Sequence, residues 1–102
     1  MARLVRACSL SELPEGERIV VDVEGESILV LNHEGRIYAI SNICTHEDAE
    51  MVSGIVIDDT ITCPVHLSRF RLDSGEVLNP PATKPLKTYK VVIREEEVFV
   101  EV

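Results

Sequence analysis

The chain has 102 residues, 45% of them hydrophobic and only 4% aromatic, and its 10 Lys+Arg against 18 Asp+Glu give a formal net charge of −8. A length of this order predicts one domain, residues 1–102, burying roughly 60–70% of its unfolded surface. The acidic balance, with no basic stripe, excludes nucleic acid as a partner, and the longest apolar runs, such as Ile28-Leu29-Val30-Leu31, fall far short of the ~18 residues of a spanning helix.

Short strands follow one another from the start. Leu4 to Cys8, Arg18 to Val23, Ser27 to Leu31 and Arg36 to Ile40 are rich in β-branched residues. Arg3 and Arg6 resemble the basic start of an export signal. Ser9, Ser11, Glu12, Pro14 and Glu15 then stand where its apolar stretch should be, so the cytoplasm is expected. Further strands are expected at Ile55 to Ile57, Thr60 to Thr62, Phe70 to Leu72, Glu76 to Leu78, Tyr89 to Arg94 and Val98 to Val102. Turn chemistry separates them at Pro14-Glu15-Gly16, Glu24-Gly25, Asn32-His33-Glu34-Gly35, Asp58-Asp59 and Asp73-Ser74-Gly75. Single helical turns fit at Ser9 to Leu13 and Thr45 to Met51, and residues 79–85, with three prolines, form a stiff loop. The pattern predicts an all-β antiparallel sandwich or barrel.

Two short motifs carry chemistry: Cys44-Thr45-His46 and Cys63-Pro64-Val65-His66. Two of the three cysteines and two of the three histidines fall in these seven positions. Both motifs follow predicted strands, so loop ends can bring the side chains together. Two thiolates and two imidazoles suit zinc or an iron–sulfur centre. A two-Cys two-His zinc finger places both Cys before both His, with the His pair on a helix. Here the order is Cys, His, Cys, His without a predicted helix, and a mixed pair in each loop suits a two-metal cluster. Three cysteines are too few for a disulfide framework, which agrees with a metal site or a reducing compartment.

With these motifs the chain resembles the Rieske iron–sulfur family, in particular the soluble Rieske ferredoxins that feed ring-hydroxylating oxygenases. The likeness extends to Phe70 with Asp73-Ser74-Gly75-Glu76-Val77, to Asn79-Pro80-Pro81-Ala82, to Pro85-Leu86-Lys87-Thr88-Tyr89 and to Leu13-Pro14-Glu15-Gly16-Glu17. It implies a Rieske-like fold with a small cluster-binding subdomain, roughly residues 42–82, formed by two loops. It implies one [2Fe–2S] cluster, with Cys44 and Cys63 on one iron and His46 and His66 on the other. Two ferric ions, two sulfides and two thiolates are formally neutral, and neutral imidazoles add no negative charge. The electron therefore enters at roughly −150 to +300 mV, against about −400 mV for four-Cys plant-type centres.

The resemblance also implies the function: a monomeric, non-enzymatic carrier of single electrons from a flavin-dependent reductase to a terminal oxygenase. A small subunit of a nitrite reductase or related complex is the alternative, and a structural zinc module a more distant one. High-potential relatives carry Ser and Tyr hydroxyls two and four residues after the second His, and a disulfide between the loops. Here those positions are Ser68 and Phe70, with Ala49 and Val65 at the disulfide positions, which points to the low-potential branch. Ser68 is expected to donate to the cluster and raise its potential. One departure stands out: Leu67 occupies a position that is usually glycine, so it must adopt an ordinary dihedral or bear strain, or else it serves to shield the cluster. The remaining candidates read as structure. Cys8 is a small core residue, His33 a solvated turn residue, Met51 and Phe99 core, and Glu95-Glu96-Glu97 a hairpin turn.

Overall fold

The computed structural model describes residues 3–45, 49–65, 67–80 and 82–102. Among them are eleven strands: β1 (Leu4–Ser9), β2 (Arg18–Val23), β3 (Glu26–His33), β4 (Arg36–Ser41), β5 (Ile55–Ile57), β6 (Thr60–Thr62), β7 (Arg69–Arg71), β8 (Val77–Asn79), β9 (Thr88–Tyr89), β10 (Val91–Arg94) and β11 (Glu97–Glu101). They form three antiparallel sheets, β1-β11-β10, β2-β3-β4-β9 and β5-β6-β7-β8. The expected all-β antiparallel architecture is present.

The middle sheet explains the apolar run on β3. Ile28, Leu29, Val30 and Leu31 are all buried, because β3 is covered on both faces. Alternation along the strand then sorts them. Ile28 and Val30 join a core with Cys8, Ala39, Val98 and Val100. Leu29 and Leu31 join a second core with Ile40, Met51, Ile61, Phe70 and Leu72. One core faces β1-β11-β10, and the other faces the small β5–β8 sheet and the two motif loops.

Tyr89 to Arg94 is not one strand. Tyr89 pairs with Ala39 in the middle sheet, whereas Val91 pairs with Val100 in the first sheet, so the chain changes sheets at Lys90. The buried Tyr89 ring explains the break, since its hydroxyl donates to Glu26 Oε1 at 2.6 Å and holds β9 beside the middle sheet.

The Ser9 to Leu13 turn is a 3-10 turn, Leu10–Glu12, closed by a Ser9–Glu12 capping box. The turn expected at Thr45 to Met51 partly lies outside the described residues. A 3-10 turn spans Met51–Ser53. Glu95 and Glu96 alone make the β10–β11 turn, at φ 50° and 64°, and Glu97 already belongs to β11. Phe99 is only half-buried, whereas Met51 is fully buried. His33 is half-buried at the end of β3 rather than fully solvated. Burial pushes the Cys8 thiol pKa up, which disfavours the reactive thiolate.

Candidate metal centre

Each motif loop begins at a buried cysteine that is tied down by its own backbone. Cys63 follows β6 directly, and its N–H donates to the Ser68 carbonyl at 2.7 Å, one residue before β7. Cys44 follows β4, and its N–H donates to the Ala49 carbonyl at 2.9 Å. Each bond spans five positions, from 44 to 49 and from 63 to 68, so the two loops are pinched shut in the same way. An Ile43–Glu50 bridge reinforces the first, and Thr62–Arg69 pairing reinforces the second.

Asn42 anchors the first loop. It is fully buried, and its side chain makes three hydrogen bonds. Nδ2 donates to Ser27 Oγ at 3.2 Å and to Glu50 Oε1 at 3.1 Å, while Oδ1 accepts from the Val52 N–H at 2.9 Å. Its carbonyl accepts from the Met51 N–H at 2.6 Å. Arg18 on β2 adds a second anchor, donating from one guanidinium nitrogen to the Val52 and Gly54 carbonyls at 2.9 and 2.6 Å. Motif reasoning missed both residues. The signal for Asn42 is a polar side chain two residues before a motif cysteine. Nothing in the sequence marks Arg18, whose reach to residues 52–54 exists only in the fold.

The proline loop binds the two motif loops together. Ser68 Oγ accepts from the Ala82 N–H at 2.9 Å, Asn79 Nδ2 donates to the Leu67 carbonyl at 3.0 Å, and Thr45 Oγ1 donates to the Lys84 carbonyl at 2.8 Å. Pro81 lies outside the described residues.

The structure places the sequence-derived candidates as follows. Cys44 and Cys63 are 3% and 0% exposed and belong to one core cluster, together with Ala82 and Leu86. Ser68 is fully buried between the second motif and the proline loop. His46 and His66 lie outside the described residues. Two buried thiols in one cluster fit a group that takes two thiolates away from water. Phe70 is fully buried and carries no hydroxyl.

Leu67 resolves the question its position raised. It has φ 61°, in the left-handed region, at a cost of about 1–2 kcal/mol for a residue with a β-carbon. The leucine thus keeps the backbone conformation that glycine adopts freely.

The profile of the Rieske [2Fe-2S] domain matches residues 3–90. The chain belongs to the Rieske family. A single [2Fe–2S] cluster is the cofactor of this domain. The ferredoxin component of a naphthalene 1,2-dioxygenase system from Pseudomonas aeruginosa is 39% identical over 97 residues, covering 95% of this chain and 93% of that one. Among solved structures, the ferredoxin of carbazole 1,9a-dioxygenase from Nocardioides aromaticivorans IC177 superposes with a TM-score of 0.88 at 32% identity, covering 95% of each chain. The ferredoxin in a complex with reduced carbazole 1,9a-dioxygenase oxygenase gives 0.86 at 30% identity, covering 94% of this Rieske chain and 99% of that one. These relatives are electron-transfer components of dioxygenase systems, not the catalytic oxygenases.

Ser68 gives a first prediction. Its oxygen already accepts from Ala82, so its own proton remains available to donate elsewhere. Ser68→Ala should cost about 1–3 kcal/mol, because a buried N–H is orphaned. It should also lower the midpoint potential. Protein-film voltammetry and thermal melts read the two effects separately.

Proposed function

We propose that this chain carries single electrons to the terminal oxygenase of a ring-hydroxylating system, taking them from a flavin-dependent reductase. Cys44 and Cys63 would hold one iron of a [2Fe–2S] cluster, and His46 and His66 the other. The cluster supplies the one-electron redox couple. The chain's own residues hold it in place and exclude water from its thiolates. The observation that carries the reading is the pair of identically pinched loops, each opening on a buried cysteine of one core cluster. The likeness to dioxygenase ferredoxins over nearly the whole chain supports it.

The cluster-binding subdomain would be roughly residues 42–82 within a single domain of 1–102. It contains the β5–β8 sheet and the loops that Asn42 and Ser68 fasten. Phe70, Ala49 and Val65 favour the low-potential branch. The carrier works as a monomer in the cytoplasm, and no helix among the described residues is long and apolar enough to cross a membrane. Its net charge of −8 favours partners with basic docking patches.

The test uses the reductase and oxygenase components of the Pseudomonas putida naphthalene 1,2-dioxygenase system. A curated ferredoxin of that system is 38% identical to this chain. The holo-protein should accept electrons from the reductase and restore oxygenase turnover in place of the native ferredoxin. Turnover should fall as ionic strength rises past about 0.1 M, where screening reaches ~10 Å. Absence of transfer to the oxygenase contradicts the proposal, and a flat salt profile contradicts electrostatic docking.

A further inference from the structure

We infer that His33, Glu34 and Asp59 form a second metal site, which takes a divalent ion such as Zn²⁺ and staples the small β5–β8 sheet to the middle sheet. The site uses none of the four motif residues and does not depend on the carrier reading above.

His33 ends β3 and Glu34 opens the β3–β4 turn, whereas Asp59 lies in the β5–β6 turn. A ring nitrogen of His33 and one carboxylate oxygen from each acid lie within 4.8 Å of one another. Alternation along β3 puts His33 on the face of Leu31, which packs into the core shared with the small sheet. His33 and Leu31 border one cavity of about 160 Å³ together with Val56 of β5. The imidazole is thus carried toward the hairpin that bears Asp59. Its Nε2 is shut off from water and has no hydrogen-bond partner. Buried polar atoms are nearly always paired, and one left unpaired in a native fold calls for a water, a proton or an ion.

The charges around the site call for a cation. Glu34 and Asp59 belong to a chain of net charge −8, and Glu15 adds a third carboxylate, its Oε2 accepting from the Glu34 N–H at 2.7 Å. Two side-chain cations reach this corner, and both are engaged. Arg71 lies close enough to feel the Asp59 charge, but it grips Asp73 at 3.0 and 3.1 Å. Arg18, on the cavity wall, holds the Val52 and Gly54 carbonyls. One imidazole and two carboxylates, with no thiolate, suit Zn²⁺, and three protein ligands leave its fourth position to water. Ligand atoms about 2.0–2.2 Å from a tetrahedral Zn²⁺ stand about 3.3–3.6 Å apart. The exposed Glu34 and Asp59 side chains therefore need only turn inward slightly. Because β6 leads directly into Cys63, an ion bound here also steadies the base of the second motif loop.

The test is calorimetric titration of Zn²⁺ into the holo-protein, free of any histidine tag. Wild type, His33→Gln, Asp59→Asn and Glu95→Gln are compared, the last removing a charge from the β10–β11 turn. Wild type should take up one Zn²⁺ per chain, with its iron content and visible spectrum unchanged. Affinity should fall at least about tenfold in His33→Gln and in Asp59→Asn, since even the partners of metal ligands are worth that much. It should stay the same in Glu95→Gln, and all four proteins should share one visible spectrum. Added Zn²⁺ should slow hydrogen exchange at both 34–35 and 58–59 in wild type, and at neither in His33→Gln. No uptake by wild type, equal affinity in all four proteins, or uptake matched by loss of iron overturns the inference. Zn²⁺ uptake stands or falls separately from electron transfer to an oxygenase.

Discussion

Cys63→Ala is expected to abolish iron binding and to destabilise the chain by more than about 4 kcal/mol, the scale reached when a protein loses a metal. Total stability for such a domain is only about 5–15 kcal/mol. The loss should be uneven. Cys44 and Cys63 share their core with Leu29, Leu31, Ile61 and Phe70, whereas Cys8, Ile28, Val98 and Val100 pack on the other face of the middle sheet. Hydrogen exchange should therefore show β5–β8 losing protection first, while β1, β10 and β11 keep more of theirs. Cys8→Ala should leave the iron content unchanged. Iron retained in Cys63→Ala, or uniform loss of protection, contradicts this account.

Gly75→Ala should be strongly damaging although it touches no ligand. Gly75 has φ 77°, and a β-carbon there would overlap the carbonyl of Leu86. The same two residues are joined by the Leu86 N–H donating to the Gly75 carbonyl at 2.7 Å, so neither can retreat without breaking that bond. Left-handed strain of about 1–2 kcal/mol adds to an overpacking cost of about 1–3 kcal/mol. At roughly 4–8 °C per kcal/mol for a domain of this size, the melting temperature should fall by about 8–40 °C. Gly35→Ala is the control, since Gly35 has φ 85° but nothing within 4 Å of a β-carbon. It should cost the strain alone. Equal losses in the two variants would show that the contact with Leu86 is not what matters.

Much of this fold was legible because its strands are punctuated. Arg18–Val23, Ile55–Ile57 and Thr60–Thr62 follow directly from β-branched runs bounded by turn residues. What alternation hides is which sheet a strand joins. The apolar run on β3 reads as a length too short for a membrane, and only the fold shows that it feeds two cores. The sheet change at Lys90 is hidden for the same reason, because β-propensity continues through it while pairing does not. At the centre, spacing picked out Cys44 and Cys63, and their burial fits that choice. Asn42 and Arg18 escaped, because their importance lies in what they reach across the fold. Sequence left the dihedral of Leu67 open, and its φ of 61° answers that point in favour of strain.

The measurement that tests the central claim most directly is electron paramagnetic resonance of the dithionite-reduced protein, with iron and sulfide analysis. A cluster held by Cys44, His46, Cys63 and His66 predicts a red-brown protein with two irons and two sulfides per chain. It also predicts a rhombic signal, present only after reduction, with the low average g of a His-ligated centre. A colourless protein with bound zinc and no signal in either state would contradict it.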